Sequence, residues 1–320
     1  MLSSSQIKGC YPAVITPMKE KHGNIVIDWE KFFALIEQAV DAGCTGIVIA
    51  GTTGQSSTIS HAEHIELVSR GSVHARTYAE RNGRSFQVIG SAGSNSTAES
   101  LYLMESILRE ARVDAFLHVT GYYNNPPQEG LLKHYNAVAD YALKNDVGVV
   151  LYNVPGRTKS NIEAETAIEL AAHPAILALK EASGDLDQVG RIIAGTRGQD
   201  FTVVSGEDDQ VAAIMKLGGS GVISASANRW PREFQVLTEL AAAGEHDKAA
   251  ELQQALLPCV RAVFCVKNPI PLHHMLESAI RLPLVTVSDL KPAAREKALG
   301  TINAALAIEE FPWVAARATV

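Results

Sequence analysis

Residues 176 to 184 read ILALKEASG. Ile176, Ala178 and Lys180 share one parity and Leu177, Leu179 and Glu181 the other, so an extended segment here would be apolar on both faces until its last residues. A short apolar run closed by a Ser-Gly turn signal predicts a strand buried on both sides, as in a parallel sheet covered by helices. A lysine near the C-terminal end of such a strand is out of character, because burying an ammonium without a partner is costly. Two readings of Lys180 are open from this segment alone. It reaches to solvent at the strand end or pairs with Glu181, or it is desolvated in a pocket to act as an amine nucleophile.

Runs of the same kind recur along the chain: YPAVITPM from Tyr11, GIVIAGTT from Gly46, FQVIGSAG from Phe86, AFLHVTGYY from Ala115, GVVLYNVP from Gly148, FTVVSGED from Phe201 and GVISAS from Gly221. Between them lie helix-period segments such as WEKFFALIEQAVDAG, TAESLYLMESILREAR, LLKHYNAVADYALKN and AETAIELAAH. The spacing, roughly 20 to 40 residues, is what β-α repeats need. Eight such units in about 230 residues predict a closed (β/α)8 TIM barrel of α/β class. An open doubly wound sheet is the alternative, but its dinucleotide fingerprint is missing. From Arg232 to about Ala307 only helical signals appear, interrupted by the two prolines of VKNPIPLHHMLESA. The expected division is a catalytic barrel over 1–231 and a helical appendage over 232–320, packed on the barrel and ending in a short tail. No Gly-, Ser- or Pro-rich linker separates the two.

The totals narrow the partners. A chain of 320 residues with net charge −7, 47% of it hydrophobic and 20% charged, is a globular protein unsuited to nucleic acid or an anionic membrane. Cys10, Cys44, Cys259 and Cys265 fit no metal spacing and read as free thiols of a reducing cytoplasm. The start, MLSSSQIKGCYPAV, lacks the apolar core of a signal peptide, and no later run is long enough to span a bilayer. Asn95-Ser-Thr is a glycosylation acceptor in form only. The expectation is a cytoplasmic protein.

In a barrel the chemistry sits at the C-terminal ends of the strands. Those ends carry Thr52 and Thr53, Tyr122 and Tyr123, Tyr152 to Arg157, Lys180, Gly206 to Asp208, and Ile223 with Ser224. Each has a bland counterpart. GTTGQS lacks the lysine of a phosphate-binding loop, the tyrosine pair could be packing, and Arg157 could be a surface turn residue. His61 with His64, and His273 with His274, read as helix or loop histidines rather than metal ligands. No strand-end His/Asp cluster suggests metal-dependent aldol chemistry.

Taken together, GTTGQS, YYNNPPQEG, LYNVPGRT, ALKEASGD, SGEDD and GVISASAN stand in the order and approximate spacing of one family. The chain resembles dihydrodipicolinate synthase, of the pyruvate-dependent lysine Schiff-base aldolases, from about Ile7 into the helical region, where NPIP (Asn268 to Pro271) also fits. The resemblance implies that Lys180 forms an imine with pyruvate, without other cofactor or metal. The derived enamine then attacks L-aspartate-4-semialdehyde. An amine at the ordinary pKa near 10.4 is neutral in about one molecule in a few thousand at pH 7; a pKa of roughly 8 makes about a tenth neutral, for some 3 kcal/mol. Burial at a strand end can supply that shift.

By the same resemblance Tyr152 is the acid/base next to the imine, and Thr52 and Tyr123 complete a hydroxyl relay. Tyr123 would come from the neighbouring subunit of a homotetramer built as a dimer of dimers. Arg157 would hold the semialdehyde carboxylate by its fork geometry, with Thr53, Gly206 and Ile223 around pyruvate. An effector site for free L-lysine is implied at Ser56, Ser57, His61, His64, Asn95, Glu99 and Tyr122, which offer a charge, hydroxyls and an amide to an amino acid. Two positions depart from the family pattern. Gln55 stands for the usual glutamate after GTTG and keeps hydrogen bonding without charge; Gly121 replaces a proline and loosens the tyrosine loop. Rival readings are another imine-forming aldolase, such as N-acetylneuraminate lyase or a keto-sugar-acid aldolase, and a catalytically dead binding barrel. Thr53 with Arg157 argues against the first, and the intact set of Lys180, Tyr152, Tyr123 and Thr52 against the second.

Overall fold

A computed structural model describes residues 1–315; the last part of the expected C-terminal tail, 316–320, lies outside the described residues. The apolar runs form eight parallel strands: β1 (Gly9–Pro12), β2 (Gly46–Ile49), β3 (Gln87–Ser91), β4 (Ala115–Val119), β5 (Gly148–Asn153), β6 (Ile176–Glu181), β7 (Thr202–Ser205) and β8 (Gly221–Ser224). Each pairs with its sequence neighbour from β2 to β8, and β8 pairs with β1. A parallel bridge from Ala13 to Val48 closes the ring, with Val14 N–H donating to the Val48 carbonyl at 3.0 Å. The TIM barrel is therefore present as the repeat spacing predicted.

The two apolar faces of each strand end in two cores. The exception is a register irregularity between β5 and β6 at Val149/Val150, which breaks the expected alternation, so that Leu177 and Ala178 both face inward. Tyr11, Val48, Ile89, Leu117, Val150, Leu177, Val204 and Ile223 fill the barrel interior. Residues of the other face, such as Ile47, Val88, Phe116, Val149 and Leu179, pack under the helices. Burying one such side chain is worth roughly 1.5–3 kcal/mol. The interior is thus solid below and leaves room for polar groups only at the strand ends.

His118 of β4 lies in the outer layer, fully buried, with neither ring nitrogen hydrogen-bonded among the described residues. Burial, with a smaller push from His134, drops its pKa to about 3. Between that value and the ordinary 6.5 the unfolded chain binds a proton that the folded chain refuses, so stability falls as pH drops through this window. From pH 7 to pH 5, His118→Leu is expected to lose about 2 kcal/mol less unfolding free energy than the native protein in urea titrations. Equal losses would mean that His118 does not carry this acid sensitivity.

Two features have no counterpart in the sequence reading. An antiparallel hairpin (Met18–Lys21 with Asn24–Ile27) follows β1. A one-turn helix, Pro155–Thr158, begins just after β5. Helix Ile270–Met275 is the helical period that resumes at the NPIP prolines. The division expected at residue 231 falls at the start of helix Pro231–Ala242, whose contacts include β1 and β8. Helices His246–Phe264 and Pro292–Leu306 pack outside it. Helix His61–Arg81 opens on a capping box, Ser60 with Glu63. Arg281 from the C-terminal region grips the same Glu63 through two bonds of 2.6 and 2.8 Å and donates to the Ile25 carbonyl of the hairpin. The C-terminal segment is thereby tied to the catalytic face.

Candidate active site

Lys180 is the penultimate residue of β6 and faces the interior, 7% exposed, in register with Tyr152 of β5. Its Nζ lies 4.3 Å from the centre of the Tyr152 ring. The pairing with Glu181 considered above does not occur. Glu181 points to the other face, where its carboxylate accepts from Asn153 Nδ2, the Ser183 N–H and Gln188 Nε2. Burial lowers the Lys180 pKa to about 8; Arg157 pushes the same way, while Asp208 and Glu207 oppose it. About a tenth of the molecules then carry a neutral amine at pH 7.

Tyr152 is itself buried, and its pKa is pushed up to about 12 by burial, against the pull of the Arg157 charge and a hydrogen bond with Thr52. It therefore keeps its proton at neutral pH. Thr52, Tyr152 and Arg157 line a cavity of ≈ 320 Å³. Arg157 is aimed there by the one-turn helix after β5, and among the described residues no carboxylate pairs with it. Lys180, Thr53, Gly206 and Ile223 are not lining residues. Gly206 is the close neighbour of Lys180: a Cβ there would fall 3.0 Å from Lys180 Cε. Ile223 packs in the same interior cluster as Tyr152. The Thr53 hydroxyl accepts from Asn268 Nδ2 at 3.0 Å.

The same cavity gathers Ser56, Ser57, His61, His64, Glu99 and Tyr122. His61 Nε2 lies 2.6 Å from Glu99, whose other oxygen accepts from Ser94. Those two contacts, Ser94 first, hold the Glu99 carboxyl below its ordinary value. His64 is buried and bonds the Ser91 carbonyl through Nε2 at 2.7 Å. Asn95 is not on the lining but donates to the Tyr122 carbonyl at 3.3 Å. Tyr123 departs from the group: it is 94% exposed on a left-handed backbone, φ 74°. It takes no part in its own chain's pocket.

Two carboxylates that the sequence places at a strand end without a role, Glu207 and Asp208, belong to the site. Asp208, buried at the end of β7, accepts from the Ser226 N–H at 2.7 Å. Burial and the neighbouring Asp209 and Asp208 charges push Glu207 up to about 7. SGEDD supplied the motif, but only the fold brings both acids close enough for their charges to act on the Lys180 amine. Among the described residues no three His, Cys, Asp or Glu side chains gather to hold a metal, and no helix is long and apolar enough to cross a membrane.

Fold and site define a class: a parallel (β/α)8 barrel with a desolvated lysine amine among hydroxyls and carboxylates at its C-terminal face. The Dihydrodipicolinate synthetase family model matches residues 6–300, and the chain belongs to that family. The 4-hydroxy-tetrahydrodipicolinate synthase of Methanospirillum hungatei JF-1 is 40% identical over 288 residues, covering 88% of this chain and 94% of that protein. Among solved structures, DHDPS from Cyanidioschyzon merolae with lysine bound is 32% identical with a TM-score of 0.84, covering 95% of this chain and 99% of that one. The chloride-inhibited dihydrodipicolinate synthase of Acinetobacter baumannii complexed with pyruvate is 34% identical with a TM-score of 0.82, covering 94% of this chain and all (100%) of that one.

Proposed function

We propose that the chain condenses pyruvate with L-aspartate-4-semialdehyde through an imine on Lys180, giving 4-hydroxy-tetrahydrodipicolinate. The observation that carries this reading is the depressed Lys180 amine against Tyr152, one side chain from a cavity that holds Thr52 and Arg157. The neutral amine adds to the pyruvate ketone, and loss of water leaves the imine. Removal of a methyl proton gives an enamine, whose carbon bonds to the aldehyde carbon as the carbonyl oxygen takes a proton. The semialdehyde's own amine then displaces Lys180 from the imine carbon and closes the ring. One water leaves overall, and the lysine returns free. The imine is the electron sink, so the chemistry calls for no further cofactor.

Tyr152 would pass protons near the imine and Thr52 would carry them outward. Thr53, Gly206 and Ile223 would shape the pyruvate end. Tyr123, exposed on a left-handed backbone, suits insertion into the site of a second copy, so we assign it to the relay of a dimer partner, with a homotetramer as the assembly. The cytoplasm is the proposed compartment. The test of substrate is turnover with pyruvate and a panel of aldehydes. L-Aspartate-4-semialdehyde should turn over best, and Arg157→Ala should raise its KM by about 10-fold or more, the scale of a lost charged hydrogen bond, while moving that of pyruvate less. A larger rise for pyruvate would contradict the carboxylate role.

L-Lysine is proposed as an effector bound by Ser56, Ser57, His61, His64, Asn95, Glu99 and Tyr122. The relative crystallised with lysine bound supports this, as does the gathering of all of these groups but Asn95 beside Thr52 and Tyr152. Tyr122 adjoins Tyr123, so an occupied effector cleft would bear on the relay. Millimolar L-lysine should inhibit the native protein strongly and Glu99→Ala at least about 10-fold less. Unchanged native activity would remove the effector site from the account.

A further inference from the structure

The turn after β2 presents Thr52 to Tyr152 but is held from the opposite side. Ala50 and Gln55, at φ 56° and 57°, bracket it in the left-handed region. Non-glycine residues persist there only when their surroundings over-determine them. Three consecutive residues supply those anchors. Thr53 Oγ1 accepts from Asn268 Nδ2 at 3.0 Å, the Gly54 carbonyl accepts from Thr16 Oγ1 at 2.5 Å, and Gln55 Nε2 lies 2.9 Å from His273 Nε2. Asn268 and His273 both belong to the segment around the NPIP prolines, more than 200 positions away in the chain.

The Gln55–His273 contact has a defined polarity. His273 Nδ1 faces the Ala279 carbonyl at 2.8 Å, so it carries the proton, and Nε2 is left to accept from the Gln55 amide. Gln55 is 1% exposed and His273 2% exposed, so no water replaces this bond if it is lost. Among the described residues Gln55 Oε1 has no partner, and His273 is the one strong hydrogen-bonding tie of that side chain. The bond joins the C-terminal region to the turn that carries the relay hydroxyl.

We infer that His273, acting through Gln55, is a positioning residue for Thr52, so that the C-terminal segment sets the geometry of the proton relay without touching substrate. The inference rests on the reading of Lys180 and Thr52 given above. Sub-ångström placement governs such a relay, and a small displacement can cost one to two orders of magnitude in rate. Imine formation on Lys180 should be spared at saturation, because Lys180 is anchored on β6, and Gly206, just after β7, is tied to β6 by its N–H on the Glu181 carbonyl.

The experiment compares native protein, His273→Leu and His273→Gln for kcat, for both KM values and for the final extent of pyruvate trapping by borohydride. His273→Leu is expected to lose kcat by about 10-fold or more, with pyruvate KM and trapping near native. His273→Gln, whose amide oxygen can accept from Gln55, should recover most of the loss. Should His273→Leu fail to fold, Gln55→Leu breaks the same bond from the other end and carries the same expectation. Native kcat in the leucine variant, a loss that glutamine does not recover, or a parallel loss of trapping would each overturn the inference. Absence of trapping in the native protein would instead overturn the reading of Lys180.

Discussion

Lys180→Ala is expected to lower turnover by about 10⁴-fold or more, the scale on which enzymes lose rate when the nucleophile itself is removed. No other amine can take over, because Lys180 is the amine held against Tyr152 in the barrel interior. The native pH profile belongs to the same prediction. With a folded pKa of about 8, the neutral fraction grows about tenfold per pH unit below that value and levels off above it. The kcat/KM for pyruvate should follow that rise. A profile flat from pH 6 to pH 9, or a Lys180→Ala enzyme within tenfold of native, would contradict the nucleophile assignment.

Tyr152→Phe and Thr52→Val come next in size, each expected to lower kcat by about 10²-fold, the usual contribution of a proton-transfer group. Burial holds the Tyr152 proton in place up to about pH 12, so this phenol is no standing base. It can give its proton to the developing carbinolamine and regain one only if a neighbour delivers it. The Thr52 hydroxyl, which bonds it and lines the cavity, is that neighbour. Both variants should bind pyruvate about as well as the native enzyme. A loss seen mainly in pyruvate KM, with kcat intact, would move both residues from proton transfer to binding.

The barrel was legible in the sequence because it is periodic. Each strand is a short apolar run, each helix a separate amphipathic segment, and the ends of the runs carry the polar residues. Lys180 stood out for the same reason, as a charge where the local pattern allows none. What was not legible depends on residues far apart in the chain. Glu181 follows Lys180 directly, and only the pleat decides that it faces Asn153 and Gln188 instead. Glu207 and Asp208 act on the Lys180 charge from the end of a different strand, which nothing in SGEDD states. Gln55 read as a departure that lost a charge; its partner His273 lies 218 positions on and read as a helix or loop histidine. The hairpin after β1 was hidden because YPAVITPM looks like one continuous strand. Thr16 and Met18 instead leave β1 to contact the turn and the C-terminal segment.

The most direct measurement is the mass of the peptide bearing Lys180 after the native protein is treated with pyruvate and borohydride. Reduction of the imine should add one pyruvyl group, as a secondary amine, to Lys180 alone, in proportion to lost activity. An adduct on another lysine, or full inactivation with Lys180 unmodified, would contradict the account.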